Sequence, residues 1–379
     1  MRLNDEVIGY IEDHAQEAFE LLVELAQIPA PSNHEEQRAA FCKEWLEKQG
    51  AQGVYVDEAL NVICSVGDTR EGPLAVYMAH SDVVFPDMEP LPLKIEDGKI
   101  FCPGVGDDTA NVVALLMTAK YIIQHGLQPS QGGVLLVINS GEEGLGNLKG
   151  SRKITEVFGS RISEFVSLDG TMGSCVVRAV GSKRYRVAVR TEGGHSYAAF
   201  GNRNAIAYLA SLIDTLYTMK VPDKGKTTYN VGAISGGTSV NTIAQYAEML
   251  YEFRSDEREA LDIMEKHFAA AVDFYRAKGV EVEVELLGER PCSGEVDAVR
   301  HEALMARAAQ AAKHGCGMEM AFRSGSTDCN IPLSMGIPAI CTGCYIGGGA
   351  HTREEWIETD SLLPGLQIAF ELVLHHFEA

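Results

Sequence analysis

GGVLLVINSGEEG, residues 132–144, is an unbroken apolar run that stops at a polar, glycine-rich turn holding two adjacent glutamates. A strand buried on one face alternates apolar and polar residues. A continuous apolar run between turn signals belongs instead to a strand covered on both faces, as in α/β sheets. Upstream, ANVVALLMTAKYIIQHG (110–126) reads as a helix that starts near Thr109 and is stopped by Gly126. PLAVYMAHSDVV (73–84) and VYVDEALNVICSV (54–66) read as further strands bounded by Gly and Pro. Before them, Ala18, Leu21, Leu22 and Leu25 recur at helical spacing, Pro29 and Pro31 break the pattern, and a second helix runs from about Glu35. Strands alternating with helices predict an α/β sheet with both faces covered.

After about residue 181 the rhythm changes. SKRYRVAVRTEGG (182–194) alternates like a half-buried strand, and NAIAYLASLIDTLYTM (204–219) reads as a helix. TTYNVGAI (227–234) and AEMLYEFRS (247–255) follow as strands, then a long helix over 257–279 and a last strand, VEVEVELL (280–287). That β-α-β-β-α-β order is the split, ferredoxin-like arrangement. Helix and strand segments resume from about residue 291 and end in a helix around Leu363–Phe377. The simplest organisation is a discontinuous α/β domain, 1–181 and 291–379, interrupted by a smaller α+β domain at 182–290. No internal repeat, low-complexity tract or long linker is visible.

The chain has 379 residues, 46% of them hydrophobic and 22% charged, enough for a substantial core in two domains. Its net charge of −21 repels nucleic acid and anionic lipid, both of which require clustered Lys and Arg, and fits a protein whose ligands are small. No apolar run is long enough to cross a bilayer, and the acidic, amphipathic start MRLNDEVIGYIEDHAQEAFE is unlike a secretory signal. Nine scattered cysteines do not form a disulfide framework, so a reducing cytoplasm is expected. Cys341 and Cys344 form a lone CxxC, which without a second pair reads as two buried small hydrophobes.

Chemistry concentrates where strands end. His80 and Asp82 lie two apart on a strand and so point to one face; an imidazole can bind zinc through one nitrogen while the aspartate orients the other. Asp107 and Asp108, after Gly104 and Gly106, open a helix; they are either an N-cap or a place where one aspartate bridges two cations. Glu142 and Glu143 are adjacent and point apart, so one can hold a metal while the other addresses water. Asp169 closes the apolar strand in FVSLDG, and His351 sits in the Gly-rich GGGAHTREEW. Each has an ordinary explanation alone. Together they form a series at the carboxyl ends of strands, where α/β sheets bind ligands. Two divalent ions carry four positive charges, which Asp107, Glu143, Asp169 and one hydroxide would balance.

In AHSDVV, GDD, SGEEG and AHTREEW, in that order, the sequence resembles the M20 family of metallopeptidases and deacylases over nearly its whole length. The resemblance implies a mixed-sheet α/β catalytic domain interrupted by a ferredoxin-like lid, two Zn²⁺ (replaceable by Co²⁺ or Mn²⁺), and a homodimer formed through the lid. It implies that His80, Asp107, Glu143, Asp169 and His351 bind metal with Asp107 bridging. Asp82 would support a ligand and Glu142 would be the general base. In the lid, His195 of GGHSY would polarise the scissile carbonyl, often in the neighbouring subunit's site; Asn241 would contact substrate and Arg254 would clamp a substrate carboxylate. SGSTDCN, with Ser326, Thr327 and Asp328, matches a segment near the site. The sequence departs from the family at Thr109, where a lysine is common, and at Ala244, where a proline is usual.

Family peptidases acting on free termini tend to carry Asp where Asp169 stands, so the resemblance favours an aminopeptidase or dipeptidase whose two domains close over a short peptide. The alternative keeps the site and changes the substrate to an N-acyl amino acid, as in deacylases of the acetylornithine or succinyl-diaminopimelate type. A non-catalytic binding protein on the same fold would be expected to have lost Glu142, which is present.

Overall fold

Successive residues of the strand Leu74–His80 enter different cores: Ala75, Tyr77 and Ala79 pack on one side, Leu74, Val76 and Met78 on the other. The strand Gly133–Asn139 divides in the same way, with Val134, Leu136 and Ile138 opposite Leu135 and Val137. Both faces are covered, which is why these strands read as unbroken apolar runs. The computed structural model describes residues 2–377. They form two compact units, 2–179 with 294–377, and 180–293.

The first unit is built on an eight-stranded mixed sheet. Its order is Tyr55–Val56, Val62–Gly67, Gly133–Asn139, Leu74–His80, Ile162–Leu168, Ala339–Thr342, Ser174–Ala179, Ala321–Gly325. The four strands from Gly133–Asn139 to Ala339–Thr342 are parallel neighbours, so their carboxyl ends share one edge. On one face, helices Ala15–Gln27, Asn111–Gln124 and Leu362–Leu374 contribute Leu22, Leu25, Leu115, Leu116, Phe370 and Val373 to the core. On the other face, Lys149–Phe158 and Asn330–Ser334 contribute Ile154 and Leu333. Asn111–Gln124 is buried from Asn111 through Ile122, the usual state of a helix that is apolar nearly all round.

Three local features differ from the sequence reading. The 54–66 run is two strands, because the Asp57 carboxylate accepts the amides of Ala59 and Asn61 and Leu60 turns left-handed (φ 72°). The regular helix begins at Asn111, after an irregular turn over Val105–Ala110 that contains a cis Asp107–Asp108 peptide. The strand at 73–84 stops at His80, so Asp82 lies beyond it. A second small sheet, Gly347–Gly348, Trp356–Glu358, Lys99–Phe101, Lys94–Glu96, was not foreseen, since strands of two or three residues leave no periodicity. It pairs Trp356 with Phe101, and so sets the segment after His351 against the segment before Asp107.

The second unit has the order β-α-β-β-α-β: Gly181–Arg190, Ala205–Tyr217, Thr227–Gly236, Tyr246–Ser255, Arg258–Ala277, Glu281–Arg290. Its strands form an antiparallel sheet with Thr227–Gly236 and Glu281–Arg290 at the edges. Tyr185, Val187, Val189, Met249, Tyr251 and Phe253 face the two helices, which supply Leu209, Leu212, Met264 and Phe268. The opposite face carries charge, including the pairs Arg186–Glu285 and Arg190–Glu283.

Candidate metal centre

Sheet register brings the strand-end residues together. His80 is opposite Asn139, so Glu142 and Glu143 lie just beyond the end of the neighbouring strand. Leu168 is opposite Thr342, and Asp169 follows it at the same edge. Asp107 comes from the irregular turn, and His351 from the hairpin of the small sheet, where it adopts a left-handed φ of 65°.

Asp107 sits between two histidines. Its Oδ1 is 3.1 Å from His80 Nε2, and its Oδ2 is 3.1 Å from His351 Nε2. His351 Nε2 is also 2.8 Å from Glu143 Oε1. Ligand atoms of His80, Asp107, Asp108 and Asp169 lie within 4.8 Å of one another, as do those of Asp107, Glu143 and His351, and those of His80, Glu142 and Glu143. Ligands about 2.0–2.2 Å from a tetrahedral zinc are separated by roughly 3.3 Å, so the donors stand near the spacing an ion requires. Imidazole and carboxylate donors suit zinc, cobalt or manganese, and the two oxygens of Asp107 face different histidines.

The structure distinguishes Asp107 from Asp108. Asp108 is fully buried and engaged: its Oδ2 accepts the His80 amide at 2.9 Å and its Oδ1 accepts Asn111 Nδ2 at 2.6 Å. No side-chain cap bond is formed at that helix start, so the aspartates are not an N-cap. Asp82 does more than face His80. His80 Nδ1 lies 3.0 Å from the Asp82 carbonyl and 3.5 Å from its carboxylate. The carboxylate accepts the Glu142 amide at 3.0 Å, the Glu143 amide at 2.9 Å and the Ser32 hydroxyl at 2.7 Å. Asp82 thereby fixes the turn that carries both glutamates.

The electrostatics are those of a site built for cations. Burial pushes Asp169 up to about 7, helped by the charges of Asp107 and Glu143. Burial likewise holds Asp108 well above the usual carboxylate range. Burial opposes protonation of His80, but Asp108, Asp107 and Asp82 outweigh it and raise the imidazole. Bonds to Asp107 and Glu143 raise His351 to about 10. Asp107 and Asp82 are lowered despite their burial, Asp107 by His351 and His80, and Asp82 by His80, Ser32 and the Glu143 amide. A divalent ion would take the place of the protons on the imidazoles and on Asp169.

Two supporting residues, Arg38 and Asn111, escaped the sequence reading; Asp328 and Cys341 had been singled out there. Arg38 is fully buried beneath the site and donates to the carbonyls of Ile28 and Ser81 and to Thr109 Oγ1 at 2.8, 3.0 and 3.1 Å. Desolvation lowers it to about 10, against the pull of Asp82 and Glu355 among others. Asn111 links Asp108 to the Cys344 amide. Asp328 is buried and accepts Asn139 Nδ2 at 2.6 Å. Cys341 is free, and its thiol approaches Asp169 Oδ2 at 3.7 Å.

In the second unit, Gly194–His195 pairs with Thr242–Ile243, so the exposed His195 and Asn241 are neighbours. His195 Nδ1 accepts the Tyr197 amide at 3.2 Å, and Asn241 Oδ1 accepts the Ser239 hydroxyl at 2.9 Å. Arg254 lies at the far end of Tyr246–Ser255, opposite Ser182, and its guanidinium is held by Glu252 through two bonds of 3.0 Å.

The sequence model of peptidase family M20/M25/M40 matches residues 76–375. The uncharacterized protein YqjE of Bacillus subtilis is 26% identical over 379 residues, covering 94% of this chain and 97% of its own. Carboxypeptidase G2 of Pseudomonas sp. is 23% identical over 80% of this chain and 74% of its own. The fold is similar to a tripeptidase from Staphylococcus aureus, with a TM-score of 0.77 and 24% identity over 95% of this chain and 97% of that one.

Proposed function

The chain belongs to peptidase family M20/M25/M40, and from that premise we propose a two-zinc aminopeptidase or dipeptidase for short peptides with free termini. Membership makes it a metal-dependent peptide hydrolase; the number of ions, their identity and the substrate are the proposal. One observation carries the two-ion reading: the two oxygens of Asp107 face two different histidines, His80 and His351. His80, Asp107 and Asp169 would hold one ion, and Asp107, Glu143 and His351 the other, with Co²⁺ or Mn²⁺ as substitutes.

When bound, the ions polarise the scissile carbonyl and acidify water. Glu142, 6% exposed and grouped with His80 and Glu143, takes the proton of the attacking water and passes it to the leaving amine. Asp82 holds the Glu142 amide and so aims that base. His195 donates to the developing oxyanion, Asn241 contacts substrate, and Arg254 exchanges Glu252 for a substrate carboxylate.

The spacing of these last residues supports a homodimer. From Arg254 to Tyr246 the strand extends roughly 25 Å at about 3.3 Å per residue, and His195 and Asn241 lie beyond that end. A di- or tripeptide cannot touch both ends of one such sheet. Two chains can, one giving Arg254 and its partner giving His195 and Asn241. The edge strand Thr227–Gly236, with Ile234 exposed, offers an unpaired surface for that association.

Asp169, and the likeness to a tripeptidase, support free peptides as substrates. The net charge of −21 argues against nucleic acid or anionic lipid as partners, and no helix among the described residues is long and apolar enough to cross a membrane. Nine free thiols, all buried but Cys316, support a reducing cytoplasm as the compartment. The test is hydrolysis of two matched panels by zinc-loaded protein: free di- and tripeptides, and N-acetyl and N-succinyl amino acids. Turnover confined to free peptides is expected. Turnover confined to acylated amino acids would make the protein a deacylase.

A further inference from the structure

Glu355 is 2% exposed, and three backbone amides donate to its carboxylate. Its Oε2 accepts the Gly104 amide at 2.9 Å; its Oε1 accepts the Gly106 and Asp107 amides at 2.9 and 2.7 Å. Its own carbonyl accepts the Cys102 amide at 3.1 Å. Amides of one turn converging on a carboxylate make a concave, anion-binding cradle, here those of residues 104, 106 and 107 while the Val105 amide bonds the Cys102 carbonyl. The turn is shaped to make it: Gly104 has a φ of 76°, and a Cβ on Gly106 would stand 2.6 Å from the Tyr345 ring.

The turn held this way ends at Asp107. Glu355 also lies four residues after His351 in the hairpin segment that places that histidine. One carboxylate therefore ties together the two backbones whose side chains meet at 3.1 Å, Asp107 Oδ2 and His351 Nε2. We propose that Glu355 is a positioning residue which fixes the Asp107–His351 separation and so sets the affinity of the ion those two share with Glu143. The inference rests on the two-ion reading above. Two of that ion's three ligands sit on backbone that Glu355 holds, against one of three for the ion of His80, Asp107 and Asp169. Loosening Glu355 must therefore act unequally on the two.

The experiment is Zn²⁺ titration against a chromophoric chelator for the full chain, Glu355→Gln and Glu355→Asp, with thermal unfolding of each metal-free form. Gln turns an amide donor against a backbone N–H; Asp keeps the charge but withdraws it by one bond. In Glu355→Gln, one zinc is expected to weaken by about 10–100-fold, the usual effect of removing a group that supports a metal ligand, and the other by clearly less. Glu355→Asp should show the same unequal loss, and decides the matter if Gln does not fold. Equal weakening of both ions would reduce Glu355 to a general electrostatic role and overturn the proposal. So would unchanged affinities, or a metal-free form that is destabilised while both zinc affinities stay equal to wild type. A full chain that binds fewer than two zinc ions sinks the two-ion reading and this inference together; a full chain binding two, with unaltered variants, sinks only the inference.

Discussion

Replacing Asp82 with asparagine tests how the site is held. The Asp82 carboxylate is fully buried and accepts three hydrogen bonds, from the Glu142 and Glu143 amides and the Ser32 hydroxyl. Asparagine has one acceptor oxygen, so in either orientation its NH₂ faces one of the two amides. A buried N–H left without a partner costs about 1–3 kcal/mol, and each remaining bond loses about 1 kcal/mol as its acceptor becomes neutral. The turn carrying Glu142 and Glu143 is thereby weakened by about 3–5 kcal/mol. The His80 tautomer should survive, because Nδ1 still has the residue-82 carbonyl at 3.0 Å. The damage is expected at the glutamates: zinc affinity falls about 10–100-fold, and displacement of the base by about 1 Å lowers kcat about 100-fold. Zinc titration, dipeptide hydrolysis and urea unfolding measure the three effects. Asp82→Asn with zinc affinity and kcat within about threefold of wild type would mean that Asp82 does not hold the two glutamates in place.

With Glu143 as the proposed ligand, Glu142→Ala should keep both metals yet lose turnover by about 10²–10⁴-fold; near-full activity would mean another group is the base. Glu164 carries a pH prediction. Burial works against its charge, but His376 and Arg307 hold it down at about 2 against an ordinary 4.5. A depressed acid stabilises the fold above its unfolded pKa, so about 3 kcal/mol present at pH 7 should be lost as pH falls from 4.5 towards 2. Glu164→Gln should lower Tm at pH 7 by several degrees and flatten that acid limb; an unchanged limb contradicts the assignment. If two chains build each site, inactive His195→Ala and Arg254→Ala proteins mixed under subunit exchange should recover about a quarter of wild-type activity, because half the dimers carry one intact site. No recovery would place His195 and Arg254 in the same chain's site.

Much of the fold was legible because its signals are local. Val134 to Ile138 is apolar throughout because alternate residues enter two cores, and Asn111–Gln124 is apolar because it is buried along nearly its whole length. The site was legible only in part. Spacing alone could not choose between Asp107 and Asp108; the irregular backbone between them turns one towards two histidines and the other under His80. The Asp82 bonds to residues 142 and 143 join strands distant in sequence, and no pattern near Asp82 announces them. Glu355 stood in the quoted AHTREEW, but beside Glu354 it reads as one of two solvated carboxylates until residues 104–107 fold over it. Arg38 gave no signal at all, since an arginine on a surface-like helix is ordinarily exposed.

The central claim is that Asp107 joins two metal ions in one reaction site. The most direct measurement is electron paramagnetic resonance of the metal-free protein titrated with Mn²⁺, for wild type and Asp107→Asn, with dipeptide hydrolysis followed in the same samples. Wild type is expected to take up two ions per chain with the signal of a magnetically coupled pair, and Asp107→Asn to lose both the coupling and the activity. One ion per chain, or two uncoupled ions in a wild-type protein that hydrolyses the peptide, would contradict that claim.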